Sequence, residues 1–168
     1  TNNELKTKYE AKAKEQNATK PRFGREGNST LRLVQDHPVY AGMVETMDAA
    51  VGQVLAAIED AGVADRTVVF FTSDNGGLST AEGSPTSNVP LRAGKGWMYE
   101  GGVRVPLLVR WPGHAKPGTV TDDYIISTDY YPTILDMAGV DPPPEQQLDG
   151  KSFTPLLQEK VVDFIRGP

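Results

Sequence analysis

Apolar residues recur at spacings of three and four over one long stretch of the chain. Tyr40, Met43, Val44, Met47, Val51, Val54 and Ile58 share one face of a helix predicted over 38–61, the helical period of 3.6 residues being the signal. Glu45, Asp48, Gln53 and Glu59 form its wet face. Pro38 suits the first helical position and Gly62 the exit. The pattern then changes. Residues 67–72 (TVVFFT) form a continuous β-branched and aromatic run, which predicts a strand buried on both faces, as in a parallel sheet. Helix followed at once by buried strand is the αβ half of an α/β fold.

The flanking segments are less regular. Residues 4–16 are rich in helix formers, with a narrow apolar stripe of Leu5, Tyr9 and Ala13, and predict a surface helix. Residues 17–30, with Pro21, Gly24 and Gly27, read as a loop. They hold N-x-S/T triplets at Asn17 and Asn28, which act as glycosylation acceptors only in a secretory eukaryotic host. After SDNGG at 73–77 comes a polar stretch to Pro90, and such loops are either functional or disordered. Residues 91–102 are glycine-rich. Residues 103–111 predict a second strand, with Pro106 keeping its start out of a central hydrogen-bonded position. Trp111-Pro112-Gly113 is a turn. A short helix over 129–138 follows the capping candidates Ser127, Thr128 and Asp129 and ends at Gly139. Thr154-Pro155 opens a last helical turn.

Composition narrows the function. The 168 residues suit about one domain, and the net charge of −5 argues against a general nucleic-acid binder. There is no cysteine, hence no disulfide scaffold, thiolate zinc site or cysteine nucleophile. No run approaches the ~18 apolar residues of a membrane span. Residues 1–35 carry a net +4 and the remainder −9, so the first helix is either a solvated charged element or an arm for an anionic partner. The chain starts at Thr1 without a signal-peptide pattern, and the expectation is a processed product or a piece of something longer.

Three sets of residues carry candidate chemistry. Asp74 and Asn75 follow the predicted strand, where α/β sheets bind ligands. Their side-chain oxygens are hard donors suited to calcium or magnesium, and the same Asp-Asn-Gly-Gly run is also plain turn chemistry. Lys95, between Gly94 and Gly96, can meet an anion as a compact charge or stand as a surface lysine. Arg92 and Arg104 flank it and are expected to pair with Glu100 rather than with an anion. His37 and His114 have no nucleophile beside them and read as structural. No G-x-S-x-G elbow is present.

Taken together, VFFTSDNG at 69–76, GKGWMYEGGVRVP at 94–106 and Trp111-Pro112-Gly113 resemble the sulfatase family of the alkaline-phosphatase-like superfamily. The helix YAGMVETMD at 40–48 with Val51-Gly52 is similar to the family helix before that strand. Ser127-Thr128-Asp129 with Pro132-Thr133, Leu148-Asp149-Gly150 and Pro155-Leu156-Leu157 resemble the segment that follows. The resemblance covers roughly 5–158. It implies a central, mostly parallel sheet flanked by helices. It further implies a sulfate-ester hydrolase acting on an aryl or carbohydrate sulfate, with Asp74 and Asn75 as ligands of Ca2+ or Mg2+ and Lys95 as the catalytic and substrate-binding lysine at the sulfate. In the family a formylglycine, made from Cys or Ser in C/S-x-P/A-x-R, attacks sulfur. That motif and the family's paired aspartates are missing from this sequence, as is the family's smaller carboxy-terminal domain. The expectation is therefore a partial catalytic domain over 1–158, a middle-to-late segment that is inactive alone and prone to self-association, with a tail of unknown role over 159–168. Family members occur in lysosomes, periplasm and the extracellular space, and the sequence selects none. A phosphodiesterase or phosphonate hydrolase of the same superfamily, a non-catalytic module that kept the fold, and an acidic calcium-binding domain stand as alternatives. The upstream nucleophile motif separates them.

Overall fold

The structure is a computed structural model that describes residues 3–16 and 21–158. The sequon at Asn17 and the tail at 159–168 lie outside the described residues. The chain divides into two compact units. The first holds residues 1–64 and 70–109, the second 65–69 and 110–168.

The first unit opens with helix α1 (Asn3–Gln16), which packs on α2 (Pro38–Asp60). Between them the segment expected as a loop is a hairpin of β1 (Phe23–Glu26) and β2 (Ser29–Arg32), paired antiparallel with Glu26 opposite Ser29. Gly27 explains the difference. Its φ of 55° places a glycine in the left-handed region at the first turn position, as a two-residue II′ connection requires. The Asn28 sequon therefore sits exposed at a hairpin tip.

Helix α2 begins where Pro38 predicts. The Nδ1 atom of His37 accepts the Tyr40 N–H at 3.1 Å and caps the helix. Lys8 Nζ reaches Glu45 at 2.7 Å and ties α1 to α2. This pair holds the Glu45 carboxyl below its ordinary range and raises Lys8. The apolar face of α2 is largely open, with Met43 55%, Met47 49% and Val54 60% exposed. By length and composition alone α2 is also long and apolar enough to cross a membrane. The sequence reading did not see this, because Glu45, Thr46, Asp48 and Gln53 interrupt the run.

β3 (Val69–Thr72) and β4 (Leu107–Arg110) pair in a two-stranded sheet. Both are shorter than predicted. β3 is half-buried at its start and exposed at its end, not buried on both faces, because no further strand flanks this pair among the described residues. The molecule is α/β with short sheets, and a central parallel sheet is not seen among the described residues. Pro106 ends the non-strand approach to β4, and residues before it form a single helical turn, α3 (Glu100–Val103).

The second unit is built around Asp129. Its carboxylate is fully buried and accepts the N–H groups of Ile126 at 2.9 Å and Lys151 at 3.0 Å. It lies at the start of α4 (Tyr130–Ala138), which ends at Gly139 with φ 65°, as predicted. Thr133 on α4 accepts the Phe153 N–H at 3.0 Å, and the buried Phe153 ring meets Tyr130 edge-on. A short turn, α5 (Thr154–Leu157), follows.

Within the first unit the packing is unusual in kind. Loops 73–79 and 92–104 touch backbone to backbone through glycines. A Cβ on Gly76 would stand 1.7 Å from the Gly101 carbonyl oxygen, and one on Gly102 would stand 1.9 Å from that of Trp97. Gly102→Ala is therefore expected to lower stability by about 1–3 kcal/mol, the scale of an overpacked core. Gly52, in α2, has nothing within 4 Å of its would-be Cβ. Gly52→Ala is expected to raise stability by about 0.5–1 kcal/mol through helix propensity. Urea unfolding of the two variants should show opposite shifts of midpoint, and shifts of the same sign would contradict this packing.

Candidate functional site

The strand β3 delivers Ser73, Asp74 and Asn75 at its carboxyl end, and Gly76 and Gly77 let the chain turn against the glycine-rich loop. Gly76 N–H donates to Gly102 O at 2.9 Å and Lys95 N–H to Gly77 O at 3.1 Å. Asn88 completes the joint. Its Oδ1 accepts the Gly77 N–H at 3.1 Å, and its Nδ2 donates to Gly77 O at 2.8 Å and Ala93 O at 2.9 Å. One carboxamide thus bridges the SDNGG loop and the loop carrying Lys95. Ser79 adds a hydrogen bond to Ala93 O at 2.9 Å.

Ala93 is 1% exposed and has φ 59°. A left-handed alanine costs on the order of 1 kcal/mol and persists where surroundings over-determine it. Here two donors hold its carbonyl. With Gly96 at φ 87° on the other side, this bend leaves the Lys95 side chain exposed while its backbone is fixed.

Further ties surround the joint. Arg92 does not pair with Glu100. Its guanidinium grips Glu26 of β1 bidentately at 2.7–3.2 Å and lies 3.7 Å over the Tyr99 ring. That pairing lowers the Glu26 pKa and raises that of Arg92. A lowered carboxylate contributes stability above its unfolded value and loses it as pH falls through the folded one, so this tie weakens only in acid. Arg104 does approach Glu100, at 3.7 Å with both side chains more than half exposed. The buried Asp36 carboxylate lies between Arg22 and Arg32, and Arg32 also donates to Ser84 O. Gln35 binds Thr86 at 2.8 Å and the Ser87 carbonyl at 2.7 Å. The polar stretch before Pro90 is ordered by these contacts, with Ser79, Ser84, Thr86 and Ser87 buried.

A cleft of about 630 Å3 opens beside this joint. Asn75 and Lys95 both line it, with Ser73, Arg104 and His37. Val39, Tyr40 and Met43 at the start of α2, and Leu78, Pro85 and Leu91, give it apolar walls. Asp74 is exposed in the same bend but is not part of the lining. Among the described residues no three His, Asp or Glu side chains are grouped to hold a metal ion. The sequence thus pointed to Asn75 and Lys95, which the fold brings together. It favoured a structural role for His37 and pairing with Glu100 over anion binding for Arg104, and it gave no signal for Asn88. A lone Asn in a polar loop carries no spacing signal.

Asn88→Ala would strand the Gly77 N–H, and each orphaned polar group costs on the order of 1–3 kcal/mol. Asn88→Asp keeps the acceptor, loses both donors and sets a carboxylate against two carbonyls. Both variants are expected to unfold at clearly lower urea, and a wild-type midpoint for either would remove Asn88 from this role.

The chain has counterparts among known proteins. The sulfatase family model matches residues 2–140. A sulfatase of Formosa agariphila is 44% identical over 132 residues, which cover 72% of this chain and 23% of that protein. Human arylsulfatase A is 46% identical over 111 residues, 66% of this chain and 22% of that protein. Among solved structures, Ps i-CgsB in complex with k-i-k-neocarrahexaose is similar at TM-score 0.67 and 37% identity, covering 76% of this chain and 28% of that one. The phosphonate monoester hydrolase of Agrobacterium radiobacter is similar at TM-score 0.61 and 30% identity, covering 77% and 24%. The chain spans about a quarter of the length of the curated relatives it matches. With a family model matching most of its residues, this chain belongs to the sulfatase family.

Proposed function

We propose that this chain forms the lysine side of a sulfatase catalytic site that hydrolyses sulfate esters of a small-molecule or carbohydrate substrate. The observation that carries the reading is that Lys95 and Asn75 line one cleft, held by a shared backbone joint. Lys95 is the catalytic and substrate-binding residue. Its ammonium neutralises the sulfate and the charge that grows on the ester oxygen as it leaves. Arg104 adds a second cation to the same lining. The apolar walls suit the organic part of an ester, and the likeness to Ps i-CgsB, solved in complex with k-i-k-neocarrahexaose, supports a carbohydrate.

Asp74 and Asn75 are the residues that would hold Ca2+ or Mg2+. Their donor chemistry fits a hard cation, but two side-chain oxygens are a minority of the six to eight that calcium takes. A bound cation there would supply further charge neutralisation at the sulfate. Formylglycine does not fit this chain, which has no cysteine and no serine in the C/S-x-P/A-x-R pattern. On this reading β3 and β4 belong to a larger, mostly parallel sheet in a complete domain, and residues 1–158 are one part of that domain. The phosphonate hydrolase likeness supports a second reading with a phosphonate ester in the same cleft, but the higher identities to sulfatases favour sulfate.

Lys95→Ala in a sulfatase carrying this chain at its relatives' full length is expected to lower kcat/KM about 100- to 1000-fold, the cost of one missing charge-stabilising donor. Lys116→Ala should be near neutral. Retention of more than about half of wild-type kcat/KM by Lys95→Ala would return this lysine to the surface. This chain by itself should release no product from a chromogenic aryl sulfate with calcium present, since loss of a nucleophile costs orders of magnitude in rate.

The open stripe of α2 supports self-association of the isolated chain, because apolar patches of this kind draw partners. Sedimentation velocity should show species larger than a monomer that grow with concentration, and a monomer throughout would refute it.

A further inference from the structure

His37 carries more than the helix cap. Its Nδ1 accepts the Tyr40 N–H at 3.1 Å, which requires that nitrogen to be unprotonated. The proton of the neutral ring is then on Nε2, a donor of fixed tautomer. His37 is half-buried and lines the cleft that holds Lys95, and among the described residues no acceptor is seen on its second nitrogen. The ring also borders a second, charged cleft of about 480 Å3, where Asp36 already receives Arg22 and Arg32. Because the first turn of α2 anchors the ring, its position is as rigid as the helix start. Val39, Tyr40 and Met43, from that same turn, form an apolar wall of the Lys95 cleft. The donor is therefore part of the wall rather than of the cationic group made by Lys95 and Arg104.

Building on the sulfatase reading above, the geometry points to His37 as a substrate-binding donor: its Nε2–H hydrogen-bonds a hydroxyl or ring oxygen on the organic part of the bound sulfate ester. It selects esters that present an acceptor there, such as a sugar, over plain aryl sulfates. A half-buried donor that the wrong substrate covers and leaves without a partner is what makes such selection effective.

The test is His37→Ser in the full-length enzyme. Serine is among the best helix caps, so α2 keeps its start while the cleft loses the donor. His37→Asp, another cap, serves as the second variant if Ser lowers the unfolding midpoint. KM for a sulfated sugar is expected to rise about three- to tenfold, the scale of one lost hydrogen bond. Here kcat should stay within about twofold, and KM for a nitrophenyl sulfate and inhibition by inorganic sulfate should stay unchanged. An unchanged KM for the sugar overturns the assignment. An equal loss for inorganic sulfate overturns it too, because the donor then serves the sulfate. Lys95→Ala run in parallel separates the two readings: a large loss there with wild-type behaviour of His37→Ser refutes the donor alone, whereas no loss in either refutes the sulfatase site itself.

Discussion

The first unit depends on one contact, the approach of two loop backbones with no side chain between them. Gly76 and Gly94 each lie where a Cβ would fall within 2.3 Å of a carbonyl oxygen of the facing loop, and Gly101 and Gly102 lie where it would meet carbonyl oxygens of their own loop. That closeness lets Gly76 donate to Gly102 and Lys95 to Gly77. Nothing apolar of any size takes part. The joint is therefore specified sterically, by what is missing at Gly76 and Gly94 and at the two glycines that fold the second loop onto itself, and satisfied by hydrogen bonds rather than by burial of hydrocarbon.

A joint of this sort moves the burden of stability onto polar groups. In the first unit the buried side chains include Arg32, Asp36, Ser79, Thr86 and Ser87, with Ala64 and Ala93 the apolar ones among the described residues. Buried polar groups stabilise only when each is paired. Asp36 between two arginines, Gln35 on the Thr86–Ser87 backbone and Asn88 on Gly77 and Ala93 are the pairings that meet this condition. They are also what turns a dozen polar residues, expected to be either functional or disordered, into the ordered rim of a cleft.

The elements with periodic patterns were legible from sequence. α2 and α4 begin and end within about a residue of their prediction, because caps and periodicity are local signals. The hairpin at 23–32 was not, since its strands are four residues each and its turn, Gly27-Asn28, sits in a stretch dominated by polar loop formers. The both-face burial expected for β3 failed for a different reason. A hydrophobic run reports what a strand is built to meet, and here Phe71 at 39% exposure meets solvent. Among the cleft residues, Lys95 stood out because Gly94 and Gly96 flank it, and Asn75 because it follows the predicted strand with a hard oxygen donor. Asn88, which brings them together, did not, because its role depends on a contact eleven residues away in sequence and on the far side of a turn.

The same division explains how the cleft combines a fixed frame with exposed charges. The Lys95 backbone is held on both sides, by its own N–H on Gly77 O and by the over-determined Ala93 two residues before it. The four-carbon side chain beyond that root is exposed, and so is that of Arg104. Long cationic side chains adjust over several ångströms, so they can follow an anionic ligand, provided their roots do not drift. The short imidazole of His37, fixed by a helix cap, has no such freedom. A cleft built this way meets charge with adjustable groups and shape with fixed ones, a partition that follows from side-chain length and anchoring alone.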